Sequence, residues 1–169
     1  KIATALADDK PVKKLNKKVP YYEISHKGKK LIVGCAVGHL FGLKETDGKG
    51  WVYPITNYDW VPIYEVNKFA KYTKDYINTF KKLVKEAKEF TICTDFDDEG
   101  SLLGYNVLRF IAKKNDAHRM KFSTLTKKDL IVSYENRLKT LDFGQIYAGE
   151  TRHNLDFLWG INLSRALTL

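Results

Sequence analysis

Four carboxylates, Asp95, Asp97, Asp98 and Glu99, crowd into positions 95–99 of this chain. The apolar run Thr91-Ile92-Cys93-Thr94 precedes them, and Gly100 and the helix-forming Ser101-Leu102-Leu103 follow. A β-prone run that feeds acidic residues into a helical pattern is a strand-to-helix junction. Side chains alternate faces along an extended segment, so Asp95 and Asp97 share a face and Glu99 carries that parity into the turn. Carboxylates gathered at one strand end repel one another, and a hard divalent cation with oxygen ligands, Mg²⁺ first, relieves the repulsion. The same residues also suit a metal-free acidic turn in which Asp98 and Glu99 favour the positive end of a helix dipole. Both readings stand on these residues alone.

Charge favours a polyanionic partner. Lys+Arg of 29 against Asp+Glu of 20 leaves a formal +9, and lysine and arginine neutralising phosphates supply most non-specific affinity for nucleic acid. A basic surface that only aids solubility has the same charge. No run reaches the apolar length of a membrane span and no secretory leader is visible, so a cytoplasmic protein with no membrane partner is expected. The start at Lys1 reads as trimmed. Cys35 and Cys93 lie in apolar, strand-like runs without a second cysteine or histidine at ligand spacing, and read as reduced core residues.

Along the chain, 1–7 reads as a helix already under way. Residues 21–25 and 30–37 read as a hairpin turning at 26–29, with the second strand apolar on both faces as a central strand would be. Gly38-His39 closes that strand and presents an imidazole at the sheet edge. Residues 43–65, with Gly48, Gly50, Trp51, Pro54, Trp60 and Pro62, read as a long irregular stretch, in which Trp51 or Trp60 either stacks on a base or packs on the domain. Apolar residues from Phe69 to Phe90 recur at helical spacing with lysines opposite. A helix through Leu103 and Ile111, a strand over 118–125 and a helix capped at 126–129 follow. A final helical pattern over 141–169 breaks near Gly160, and Arg152 and Asp156 lie one turn apart on it.

Asp95-Phe96-Asp97-Asp98-Glu99-Gly100 resembles the D-x-D-x-E-G signature of Toprim domains, and its wider context, CTDFDDEGSLLGYNVLRF, is similar to archaeal type IA DNA topoisomerases. Gly38-His39, the Arg119 to Thr126 block and the stretch from Ala148 to Ser164 resemble further motifs of that family. Asp98 stands where members commonly have arginine, Ser101 where they have glutamate, and His153 where many have a second arginine. The resemblance implies an α/β fold with a Rossmann-like, mostly parallel sheet flanked by helices. It implies a Toprim domain over 1–140, its first strand missing, and the helical start of a following domain over 141–169.

It further implies Mg²⁺ held by Asp95, Asp97 and Glu99, with His39 and Arg119 beside them as catalytic groups. His39, Arg119, Arg152 and Asp156 would face a single-stranded segment of supercoiled DNA. The implied reaction cuts one strand, passes another and reseals. The nucleophilic tyrosine and an upstream glutamate would lie in other parts of the protein, leaving this fragment inactive alone. The rivals are a free-standing Toprim nuclease or primase-like protein, a D-x-D glycosyltransferase, and a non-catalytic basic DNA-binding module.

Overall fold

The computed structural model describes residues 1–46 and 51–168; Gly48 and Gly50 of the long central stretch lie outside the described residues. Among the described residues, three small sheets and six α-helices make an α/β fold. The strands β1 (Val12–Asn16), β2 (Val19–His26) and β3 (Lys29–Gly34) form an antiparallel meander. Its tight turns dictate that direction. Lys27 and Gly28 both take positive φ, 50° and 76°, as a two-residue hairpin whose twist matches its strands requires.

Strands β4 (Phe41–Glu45) and β5 (Tyr58–Pro62) pair antiparallel. Among the described residues, only β6 (Thr91–Ile92) and β7 (His118–Arg119) are parallel, so the sheet architecture is mixed rather than mostly parallel. A parallel pair needs a crossover, and here it is α4 (Asp98–Val107), continued by a wider π turn over Leu108–Ala112. The acidic segment is the β6-to-α4 connection of this βαβ unit.

The remaining helices are α1 (Ile2–Leu6), the single turn α2 (Ile63–Val66), α3 (Thr73–Leu83), α5 (Lys127–Glu135) and α6 (Phe143–Leu167). On one side of the molecule, Ala3, Leu6 and Ile24 pack together, beside Ala5, Met120 and Leu130. Leu102, Leu108, Leu141 and Ile146 form a second core that ties α4 to α6. Leu40, Phe41, Ile77 and Ile111 form a third. No described helix is long and apolar enough to cross a membrane.

Several elements depart from the expected pattern. β1 is mostly exposed and carries no hydrophobic alternation to announce it. Two strands and a helical turn occupy the stretch read as irregular. The helix read over 67–90 is a short 3₁₀ turn at Lys68–Ala70 followed by α3, and Phe69, counted on its apolar face, is 93% exposed. Asn67 explains the interruption: its side chain accepts from the Phe69 amide and caps the 3₁₀ turn. The strand at 118–125 is two residues long, and α6 runs unbroken through Gly160.

Among the described residues β3 pairs only with β2, and its outer side opens on a cleft of about 930 Å³ lined by Leu31, Val33, Cys35, Ile92, Leu103 and Val107 among others. Cys35 is consequently exposed rather than in a core, while Cys93 is partly buried.

Candidate functional site

The connection after β6 is held from beneath. Arg119 on β7 is fully buried. Its Nη1 donates to the carbonyls of Thr94 at 2.7 Å and Met120 at 3.2 Å, and reaches that of Ile92 at 3.4 Å. Its Nη2 donates to the Asp95 carbonyl at 2.5 Å and to Ser101 Oγ at 3.1 Å. The Phe96 ring stacks 5.0 Å from the guanidinium. Expected beside the acidic triad or a phosphate, Arg119 lies under the triad's loop, where it braces the backbone of Thr94 and Asp95 from inside and is itself fully buried.

Above it, Asp97 is the N-cap of α4, its Oδ1 accepting from the Gly100 amide at 2.7 Å. Thr94 Oγ1 donates to the Gly100 carbonyl at 2.6 Å. Asp95 and Asp97 are exposed. The Asp95 carboxylate makes no hydrogen bond to any described residue, and only one oxygen of Asp97 is engaged. Two outward carboxylates with free oxygens fit a hard cation such as Mg²⁺, which commonly takes one or two protein carboxylates and keeps waters or phosphate oxygens elsewhere.

Glu99, in the first turn of α4, points to a different set. Its Oε2 lies 3.1 Å from His39 Nε2 and 3.0 Å from His153 Nε2. His39 follows Gly38, whose φ of 95° turns the chain after β3. His153 comes from α6, brought close because Gly149 lets that helix lie against the start of α4; a Cβ there would stand 2.7 Å from the Asp98 carbonyl. The two imidazoles sit 4.9 Å apart, and Trp60 covers His153 at 5.8 Å. Among the described residues, His39, Glu99 and His153 are the group whose ligand atoms all lie within 4.8 Å of one another. Asp95, Asp97 and Glu99 are not gathered to that spacing.

Burial, and then the charge of His153, push the His39 imidazole below its ordinary range, against the pull of Glu99. Hydrogen bonding from His153 holds the Glu99 carboxyl below the usual carboxylate range. Arg152 is exposed, with Nη1 3.8 Å from Glu99 Oε1 and Nε 3.9 Å from Asp156 Oδ2. At those distances it interacts by charge rather than by hydrogen bonds. Asp156 is exposed beside it.

The sequence reading had noted His153 only as a departure from a family pattern. The reading also missed Gln145, which accepts from Ser101 Oγ at 2.8 Å and joins α6 to α4. Of the two tryptophans in the stretch 43–65, Trp60 is half-buried between two cores, and Trp51 is exposed with the Arg165 guanidinium 5.1 Å from its ring.

A βαβ unit with exposed aspartates at the end of its first strand and at the cap of its helix is the arrangement of a Toprim domain. The chain belongs to that family, whose model matches residues 8–125. Within it, the chain is similar to DNA topoisomerase 1 of Pyrococcus furiosus, 49% identical over 99% of this chain and 16% of the relative. It is likewise similar to DNA topoisomerase 1 of Methanocaldococcus jannaschii, 49% identical over 99% of this chain and 22% of the relative, and to that of Pyrococcus horikoshii, 47% identical over 99% and 25%. The chain thus spans a quarter or less of the length of these curated relatives.

Proposed function

We propose that this chain supplies the Mg²⁺-dependent part of a type IA DNA topoisomerase, which cuts one strand of supercoiled DNA, passes another through the gap and religates it. The observation that carries the reading is the exposed Asp95 and Asp97 pair at the β6-to-α4 connection, within a Toprim match and a close likeness to archaeal DNA topoisomerase 1 sequences. Asp95 and Asp97 would hold the ion, with Glu99 at its edge; Mg²⁺ bound there supplies positive charge to a phosphate whose negative charge grows during cleavage and religation.

Other residues of this chain take supporting roles. His39, at the rim of the acidic loop, holds the Glu99 carboxylate in place beside the reacting phosphate through their 3.1 Å hydrogen bond. Arg152, exposed on α6 and steadied by Asp156, attracts the backbone of the single strand. Arg119 acts as a positioning residue, fixing the carbonyls of Thr94 and Asp95 so that the carboxylates stay aimed outward. Residues 1–140 constitute the Toprim domain, and 141–169 lead into the next. A tyrosine of another domain attacks the phosphate, and the enzyme works on DNA in the cytoplasm.

The experiment is paired titration of the chain with Mg²⁺ and with single-stranded DNA. Asparagine caps helices as well as aspartate, so Asp97→Asn leaves α4 in place and should weaken Mg²⁺ binding without unfolding. Arg152→Ala should weaken DNA binding, and affinity should fall steeply with salt. Unchanged Mg²⁺ affinity in the first variant, or salt-insensitive DNA binding, rejects the reading and favours a module whose acidic turn is only structural.

A further inference from the structure

Three side chains from three separate elements converge at the far end of the acidic segment: His39 from the turn after β3, Glu99, its last carboxylate, from the first turn of α4, and His153 from α6. Both imidazole Nε2 atoms lie about as far from Glu99 Oε2 as ligands of one small ion lie from each other. With metal–ligand bonds of about 2.0–2.1 Å, tetrahedral ligand atoms stand roughly 3.3 Å apart, against 3.1 and 3.0 Å here.

Donor chemistry separates this triangle from the aspartates. Imidazole nitrogen suits zinc and its first-row neighbours, whereas Mg²⁺ takes oxygen. We propose that His39, Glu99 and His153 form a site for a borderline divalent transition-metal ion, Zn²⁺ foremost, distinct from the Asp95 and Asp97 site and leaving one coordination position open.

The triangle can change from a hydrogen-bonded to a metal-bound state. Without metal, the Nε2 of each ring faces the Glu99 carboxylate in a hydrogen bond. With metal, each ring offers its Nε2 lone pair instead, and the proton that stood there moves to Nδ1 or to solvent. His39 Nδ1 is buried with no partner among the described residues, so nothing on that side fixes the tautomer. Glu99 Oε1, facing Arg152 at 3.8 Å, stays outside the pairing with the two rings. An ion here would pin α6, α4 and the loop after β3 to one point.

The site shares His39 and Glu99 with the DNA-cleaving reading but not the Asp95 and Asp97 donors, so its test is separate. The chain is titrated with Co²⁺, the spectroscopic stand-in for Zn²⁺, in excess Mg²⁺. The expected result is one equivalent of Co²⁺ bound with the intense visible absorption of a four- or five-coordinate ion, displaced by one equivalent of Zn²⁺. His153→Gln and His39→Gln should each weaken binding at least about tenfold, while Asp97→Asn should leave it unchanged. A thermal-melting series keeps the test valid if one variant folds poorly: Zn²⁺ should raise the Tm of the wild type and of Asp97→Asn and leave the melting of either histidine variant unmoved. A pale six-coordinate Co²⁺ spectrum, affinity unchanged in both histidine variants, or equal loss in Asp97→Asn would overturn the site.

Discussion

Gly100 passes so close to Asp95 that no side chain fits: a Cβ at Gly100 would stand 2.2 Å from the Asp95 carbonyl oxygen. The obstacle is backbone already fixed by Arg119, so it cannot yield as a flexible side chain would. Gly100→Ala should therefore lower stability by about 2 kcal/mol, in the range of overpacked sites, and weaken Mg²⁺ binding because Asp95 must move. Urea unfolding and metal titration of the same variant check both effects.

Arg119→Lys should be almost as damaging as Arg119→Met. One ammonium cannot replace a planar fork that spans the carbonyls of Ile92, Thr94, Asp95 and Met120. Each variant should lose about 3 kcal/mol, the scale for buried carbonyls left unpaired, read from the denaturant midpoint. A lysine variant as stable as the wild type would show that charge alone, rather than the fork, holds the loop.

Leu102 and Ile146 are both fully buried and join α4 to α6 in one core. Leu102→Ala should cost about 3 kcal/mol. It should also loosen the approach of His153 to Glu99, which fluorescence of the neighbouring Trp60 would register together with the unfolding midpoint.

The two cysteines should differ in reactivity. Burial pushes the Cys93 thiol up to about 12, whereas Cys35 is exposed at the cleft. A chromogenic disulfide reagent at mildly alkaline pH should label one thiol per chain quickly, and Cys35→Ser should abolish that phase. The second thiol should appear only on denaturation.

Acid should loosen the three-stranded sheet. The hydrogen bond from Lys14 holds the Glu23 carboxyl below its ordinary value. A depressed carboxylate contributes stability that is complete above its unfolded pKa, about 4.3, and is lost as pH falls through the lower folded value. Glu23→Gln should therefore lower stability modestly at neutral pH and match the wild type once Glu23 is protonated, so that the acid limb of its stability curve is flatter, as circular dichroism melts across a pH series would show.

The acidic segment could be read from the chain because its chemistry is local: consecutive carboxylates, a glycine and the onset of helical spacing all fall between Asp95 and Leu103. The hairpin at Lys27-Gly28 was legible for the same reason. His153 was hidden because its meaning depends on how closely Gly149 lets α6 approach α4, a tertiary fact without a periodic signature. Arg119 reads identically in sequence whether it faces a phosphate or a ring of carbonyls, and only burial decides. β1 escaped notice because an exposed edge strand needs no apolar face; its pairing with β2 and the clasp between Lys14 and Glu23 supply its stability.

The central claim is that Asp95 and Asp97 serve strand cleavage and religation in DNA. The most direct measurement follows relaxation of negatively supercoiled plasmid, with Mg²⁺ and with chelator, by the natural-length protein that contains this chain. Passing one strand through one gap changes the linking number by one each time, so a ladder of topoisomers one step apart should form with Mg²⁺ and vanish with chelator. The paired substitution Asp95→Asn, Asp97→Asn should slow it at least about 100-fold, a loss on the scale of removing a principal electrostatic stabiliser, while the circular dichroism spectrum stays that of the folded protein. Relaxation that survives the paired substitution undiminished, or a wild-type protein that leaves the plasmid supercoiled, would contradict the account.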